Sequence, residues 1–253
     1  MKAVPWKAWL MALLVAAPVV TPAAAKDLLI IGQDYPPFNW MDAGTVKGGM
    51  VDVLRKACEK LKFNCKFSIV PLARGMPMLE DGSADAVMSL IPNAERAVYA
   101  QFSPTLVVQN MGYFALKGKA KPMTSLSDLS GWTVGAVRGS ASLRMAREHQ
   151  KQVKDLVLVE EVSNETLINK LLGERYGDKG AVMSGDAVLG FNARRAHVAL
   201  EMLWSAEPQG FTTAFSKKSV DAQTFADITK TLEAMKKSGE LKALLDKYAL
   251  KSE

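Results

Sequence analysis

The chain is poor in the residues that most catalytic and metal chemistry requires. Its 253 residues include only two histidines, His149 and His197, far apart, and two cysteines. No C-x-x-C, H-E-x-x-H, G-x-S-x-G or phosphate-loop pattern occurs, so dithiol redox, zinc-protease, serine-hydrolase and nucleotide chemistries lack their signatures. Neither a metal site nor a cofactor is expected. No sign of charge dominates: 32 basic residues face 26 acidic ones, and the formal excess of +6 is dispersed. Stretches such as "KKSGELKALLDK" mix both signs as a solvated helix face does, so no nucleic-acid partner is expected. Internal repeats, low-complexity tracts and long linkers are also missing. Beyond the first 25 residues no apolar run is long enough to cross a bilayer.

Those first 25 residues have an organisation of their own. Lys2 and Lys7 form a basic start, "AWLMALLVAAPVV" is a short apolar core broken by proline, and "TPAAA" ends in small residues. Residues 1–25 therefore read as a cleavable export signal rather than a membrane anchor, with Lys26 the expected new N-terminus. No cysteine stands there to carry a lipid, so the mature chain is expected to be soluble and periplasmic. In such a compartment the pair Cys58 and Cys65 in "ACEKLKFNCKF" is expected to form a disulfide.

Apolar periodicity predicts alternating strands and helices. "DLLIIG" is a short continuous run suited to a strand buried on both faces, and Met50, Val53, Leu54, Ala57 and Leu61 recur at helical spacing. "CKFSIV", a short helix around Met76–Leu79, and "ADAVMSL" complete a βαβαβ unit, which calls for a mostly parallel sheet with helices on its faces. The order restarts with "MGYFALKG", "WTVGAV", a helix opening at Gly139-Ser140, "LVLVEEV", "NETLINKLLG" and "GAVMSG". "FTTAF" then precedes two amphipathic helices. Strand-like stretches near 104–112 and 203–214 join the two units, which describes an α/β protein of two lobes with a two-segment hinge. The expected boundaries are 26–107 for the first lobe, 108–205 for the second, and 206–253 returning to the first.

In open α/β sheets, ligands sit outside the carboxyl ends of the strands. Four strand-end loops occupy such positions: "QDYPPFNW", "SLIPNAER", "VRGSAS" and "SGDAVLG". Tyr35, Phe38 and Trp40 in the first either wall a ligand or pack the loop on its own lobe. Arg96 in the second stands in the first turn of a short helix that Asn93 is suited to cap. A cation is electrostatically misplaced there, so Arg96 is either a solvated charge or a contact for an anion.

Together these segments resemble the family 3 extracellular solute-binding proteins, the periplasmic receptors of amino-acid importers, with the histidine- and lysine/arginine/ornithine-binding members the nearest comparison. The likeness rests on "IIGQDYPPFNW", "GGMVDVLRKACEKL", "LEDGSADAVMSL", "ERAVYAQFSPT", "LSDLSGWTVGAVRGS" and "SGELKALLDKYAL", in that order. It implies a type II periplasmic binding protein that closes two lobes over a small amino-acid-like solute. It also implies delivery to an inner-membrane ABC permease, action as a monomer, and no catalysis; the Cys58 and Cys65 positions match a disulfide of those receptors. By position, Arg96 matches the arginine that holds the ligand's α-carboxylate, Ser89 and Ile91 lie near polar contacts, Tyr35 matches an aromatic wall, and Leu72 faces the ligand side chain. Ser140 and Ala141 match the turn that meets the carboxylate, and Asp186 matches the acid that takes the α-ammonium.

Three departures bear on the ligand. The segment from Asp85 to Arg96 is one residue short, with Pro92 and Ala94 where hydroxyl residues are usual. Ala141 stands where threonine is common, and a shift of one place would put Gly185 in the position given to Asp186. Arg74 either reads a polar group of the ligand or lies on the surface. The rival functions are an enzyme on the same scaffold, as in cyclohexadienyl dehydratases, and a sensor that reports ligand to a membrane partner.

Overall fold

The computed structural model describes residues 26–253; the expected export signal lies outside them. Two five-stranded paths organise the chain. The first contains β1 (Asp27–Gly32), β4 (Asn64–Ile69), β5 (Ala86–Leu90), β6 (Ala100–Phe102) and β13 (Gln209–Ser216), in the order β4-β1-β5-β13-β6. β7 (Val107–Gln109) pairs with β13 off that path, and β2 (Trp40–Asp42) with β3 (Thr45–Lys47) makes a separate hairpin. The second sheet has β8 (Met111–Leu116), β9 (Thr133–Val137), β10 (Val157–Glu161), β11 (Gly180–Gly185) and β12 (Leu200–Ser205), ordered β10-β9-β11-β8-β12.

Each sheet has a parallel triplet, β4-β1-β5 or β10-β9-β11, extended by antiparallel strands. The antiparallel members include the strands that carry the chain between sheets. A single residue, Asn110, separates β7 from β8, and three separate β12 from β13. So short a link cannot support a crossover, which needs a dozen residues or more. β7 and β13 pair through Gln109↔Gln209, Val108↔Gly210 and Val107↔Phe211, and Val108 bridges to Lys251 near the C-terminus. The two connecting segments are therefore a hydrogen-bonded ribbon beside the crossing point.

Helices cover the sheets where the apolar stripes require it. α1 (Gly49–Leu61) buries Met50, Val51, Val53, Leu54 and Ala57, and ends on Lys62 with φ 57°. It packs on α7 (Ala222–Lys237) and α8 (Glu240–Asp246), so the C-terminal helices return to the first sheet. Cys58 and Cys65 are disulfide-bonded and tie α1 to β4. α2 (Leu72–Asp81) extends on both sides of the expected Met76–Leu79 helix, with Pro77 inside it. α3 (Ala94–Ala97), α4 (Ala141–Gln150) and α5 (Asn164–Leu172) each start on a capped residue: Asn93, Ser140 and Ser163. α6 (Asp186–Arg195) corrects the reading of "SGDAVLG" as a loop; it buries only Val188, Leu189 and Ala193, too few to make a legible stripe.

Candidate functional site

Loops after β1, β5 and β9 converge with the start of α5 between the two sheets. They enclose a cavity of about 540 Å³ with walls from both: Gln33, Tyr35, Leu72 and Arg96 on one side, Ser140 and Asn164 on the other. A recess of about 30 Å³ runs off it among Ser89, Ile91, Arg96, Ser140, Ala141 and Phe211. A further cavity of about 460 Å³ lies between the β2-β3 hairpin and the helices α5 and α6, and shares Asp34, Ser163 and Asn164 with the first.

Arg96 sits in the capped first turn of α3. The Asn93 side chain accepts from Arg96 N at 2.8 Å, and Arg96 as a whole is only 8 % exposed. Its Nη1 donates to Ile91 O at 3.1 Å, yet no acidic side chain pairs with it among the described residues. Burial, and then the Arg144 charge, lower its pKa. An unpaired cation in a largely buried position is costly, and an anion there would relieve it.

The facing wall is the start of α4. Ser140 Oγ accepts from Leu143 N at 3.1 Å and donates to Val137 O at 2.6 Å, so the cap is fixed and the first-turn amides point outward at the positive end of a ten-residue helix. Ser89 sits opposite in a bulge of β5: the pairing with β13 shifts between Thr212 and Thr213, and Ser89 has φ 61°. A side-chain-bearing residue in that region is strained, and the bulge re-aims its hydroxyl onto Asn39 Oδ1.

The aromatic loop divides. Tyr35 lines the cavity; its ring lies 5.1 Å from Phe38 and 6.1 Å from Phe211, and burial raises its pKa, with Asp186 adding to the shift. Phe38 is fully buried beneath it and lines none of these cavities, so it supports the wall instead of forming it. Trp40 reaches across to Phe191 of α6, with ring centroids 5.3 Å apart.

Residues 29–251 match the bacterial extracellular solute-binding proteins, family 3. The chain belongs to that family. An L-arginine-binding protein of Pseudomonas aeruginosa is 23% identical over 232 residues, covering 89% of each chain. A histidine kinase sensor domain with similarity to periplasmic binding proteins superposes with TM-score 0.78 at 20% identity, over 90% of this chain and 99% of its own. An ancestral amino-acid-binding protein, a precursor of cyclohexadienyl dehydratase, superposes with TM-score 0.75 at 20% identity, over 88% and 94%.

In this solute-binding protein the cavities bring together Tyr35, Leu72, Ser89, Ile91, Arg96, Ser140 and Ala141. Arg74 is exposed and lines none of them. Asp186 stands at the first position of α6, half-buried, beyond the cavity linings; Asn110 Nδ2 donates to its Oδ2 at 3.0 Å and Ala187 N to its Oδ1 at 2.7 Å. Gly185 has no room for a side chain, because a Cβ there would meet Gln109 Cδ at 2.3 Å. Sequence reasoning passed over Asp34, Gln109 and Asn164. Asp34 lies within the "QDYPPFNW" loop beside three aromatics, and nothing in sequence brings Asn164 to the cleft. Asp34 is open to the cleft, yet the surrounding walls desolvate its carboxyl enough to raise its pKa, with Arg195 opposing and Glu165 assisting.

Proposed function

We propose that this protein is a periplasmic receptor that closes its two lobes, 26–107 with 206–253 and 108–205, over an amino acid and delivers it to an inner-membrane ABC permease. The observation that carries the reading is Arg96, a buried arginine without an acidic partner among the described residues, facing the capped start of α4. A carboxylate between them would accept two parallel hydrogen bonds from the fork and others from helix amides. Asp186 is the acid for the α-ammonium: each of its oxygens already accepts one bond and keeps a lone pair. The relative named for L-arginine supports the amino-acid class.

The protein acts without catalysis in this reading. A dehydratase would need a proton donor above the ligand, and among the described residues Asp34 is the one carboxyl that lines the larger cavity. The likeness to a sensor domain favours a second reading, in which the closed form is recognised by a signalling protein. Calorimetry against the common amino acids tests capture: micromolar or tighter binding to at least one is expected, and none would remove the proposal. A ligand at 100 times its Kd should add about 2.7 kcal/mol of stability. Loss of uptake in a deletion strain, restored by the intact gene, tests delivery.

A further inference from the structure

Asn164 occupies the one place where the two large cavities meet, together with Asp34 and Ser163. It is the first residue of α5 and is only 9 % exposed. Ser184 Oγ, itself buried on β11, donates to Asn164 Oδ1 at 3.1 Å and so sets the carboxamide. The Nδ2 group has no hydrogen-bond partner among the described residues and is left for the cleft. A nearly buried amide held by its oxygen, with its donors unpaired, is a preformed site for an acceptor. Across the junction Asp34 offers the complementary acceptor.

We propose that Asn164 and Asp34 form a subsite for the distal end of the ligand, and that this subsite selects an uncharged carboxamide or ureido group over a cationic one. Such a group has a carbonyl oxygen to accept from Asn164 Nδ2 and N–H groups to donate to Asp34. A guanidinium or ammonium would pair with Asp34 but has no acceptor at all, so it would leave the Asn164 donors unpaired and turn N–H groups against them. A site built around a hydrogen bond discriminates strongly against an analogue that cannot make it. Ser184 is a positioning residue: it touches Asn164 and not the ligand. The inference rests on the proposed amino-acid receptor, whose head-group contacts at Arg96 and Ser140 it leaves unchanged.

The test is calorimetry of the full mature chain with L-glutamine, L-citrulline, L-arginine and L-lysine. Glutamine or citrulline should bind at least about tenfold more tightly than arginine and lysine. Asn164→Asp keeps the shape and the Ser184 bond while replacing the donor by an acceptor, and should reverse that order. Ser184→Ala should erode the preference towards parity, and serves as the second variant if Asn164→Asp does not fold by circular dichroism. Tighter binding of arginine by the unaltered protein, or a ranking untouched in both variants, overturns the subsite and leaves the receptor reading intact. Failure of all four ligands, and of every other amino acid, would instead overturn the receptor reading itself.

Discussion

Gln109 Nε2 donates to the Tyr35 hydroxyl at 3.0 Å, joining a hinge strand to the aromatic wall of the cleft. Gln109 is 3 % exposed, and its Oε1 is buried without a partner. The carboxamide occupies the space that a side chain at Gly185 would need, so the last residue of β11 is a glycine for reasons of room. One side chain thus touches the connection between lobes, a cavity-lining ring of the first lobe and the strand end that launches α6 in the second.

Gly185→Ala should therefore destabilise the protein by about 1–3 kcal/mol, the usual cost of overpacking a filled site. Urea unfolding measures it. Adding Gln109→Ala should recover part of the loss, because it vacates the volume while sacrificing the Tyr35 bond. Additive losses in the double variant would show that the two positions do not compete for space.

Arg96→Ala should abolish most ligand affinity, by about 2–5 kcal/mol, because the ligand carboxylate would be buried unpaired. Arg96→Lys should also weaken binding, since the charge survives but the two-pronged donor does not. Without ligand, the Tm of Arg96→Ala should stay level or rise: the change removes a buried cation whose one side-chain hydrogen bond among the described residues is to Ile91 O. A large fall in Tm would make Arg96 a structural residue.

The parts of this arrangement written in short-range pattern were legible in sequence. "DLLIIG" is β1 to the residue, Asn93 caps α3, Ser140 caps α4, and the cysteine pair is bridged. What escaped depends on distant partners. Phe38 and Tyr35 are alike as aromatic loop residues, and only packing decides that one is a wall and the other its support. Asn164 and Ser184 are separated by a helix and a strand, and no spacing rule links them. The inward turn of Arg96 needs the neighbouring lobe, whose α4 and Arg144 set its surroundings.

The bridge itself should matter. Cys58 and Cys65 close a loop of sequence separation 7, for which the chain-entropy model gives about 2–3 kcal/mol. Unfolding with and without reductant, read by urea midpoint, should differ accordingly. Equal midpoints, with free thiols confirmed by alkylation in the reduced sample, would show the bridge to be energetically silent.

His149 predicts an acid-sensitive second lobe. It is half-buried at the last turn of α4, with Nδ1 2.8 Å from the Tyr113 hydroxyl and its ring edge-on to Trp204. Burial lowers its pKa from the ordinary 6.5, only partly offset by Glu148. Below pH 6.5 the unfolded chain then binds the proton that the folded one resists. Stability from this group is therefore complete above 6.5 and lost as pH falls through the lower folded value. The Tm of the unaltered protein should drop between pH 6.5 and 5 more steeply than that of His149→Gln. Parallel curves would remove His149 as the cause.

Asp186 is the proposed ligand contact whose role depends most on the ligand. Its carboxylate is anchored at the crossing point by Asn110, close enough to Tyr35 to act on its ionisation, and it is the first residue of α6. Closing the lobes brings the α-ammonium to this charge in the proposed mode. Asp186→Asn should cost about 2–5 kcal/mol with an α-amino acid that binds the unaltered protein. The decisive comparison uses the same ligand without its amino group. The unaltered protein should bind that analogue much more weakly, and Asp186→Asn should bind the two forms nearly alike. Asp34→Asn should preserve the discrimination, because Asp34 faces the distal end. If Asp34→Asn erases it and Asp186→Asn does not, the ammonium lies at Asp34 and the ligand is reversed in the cleft.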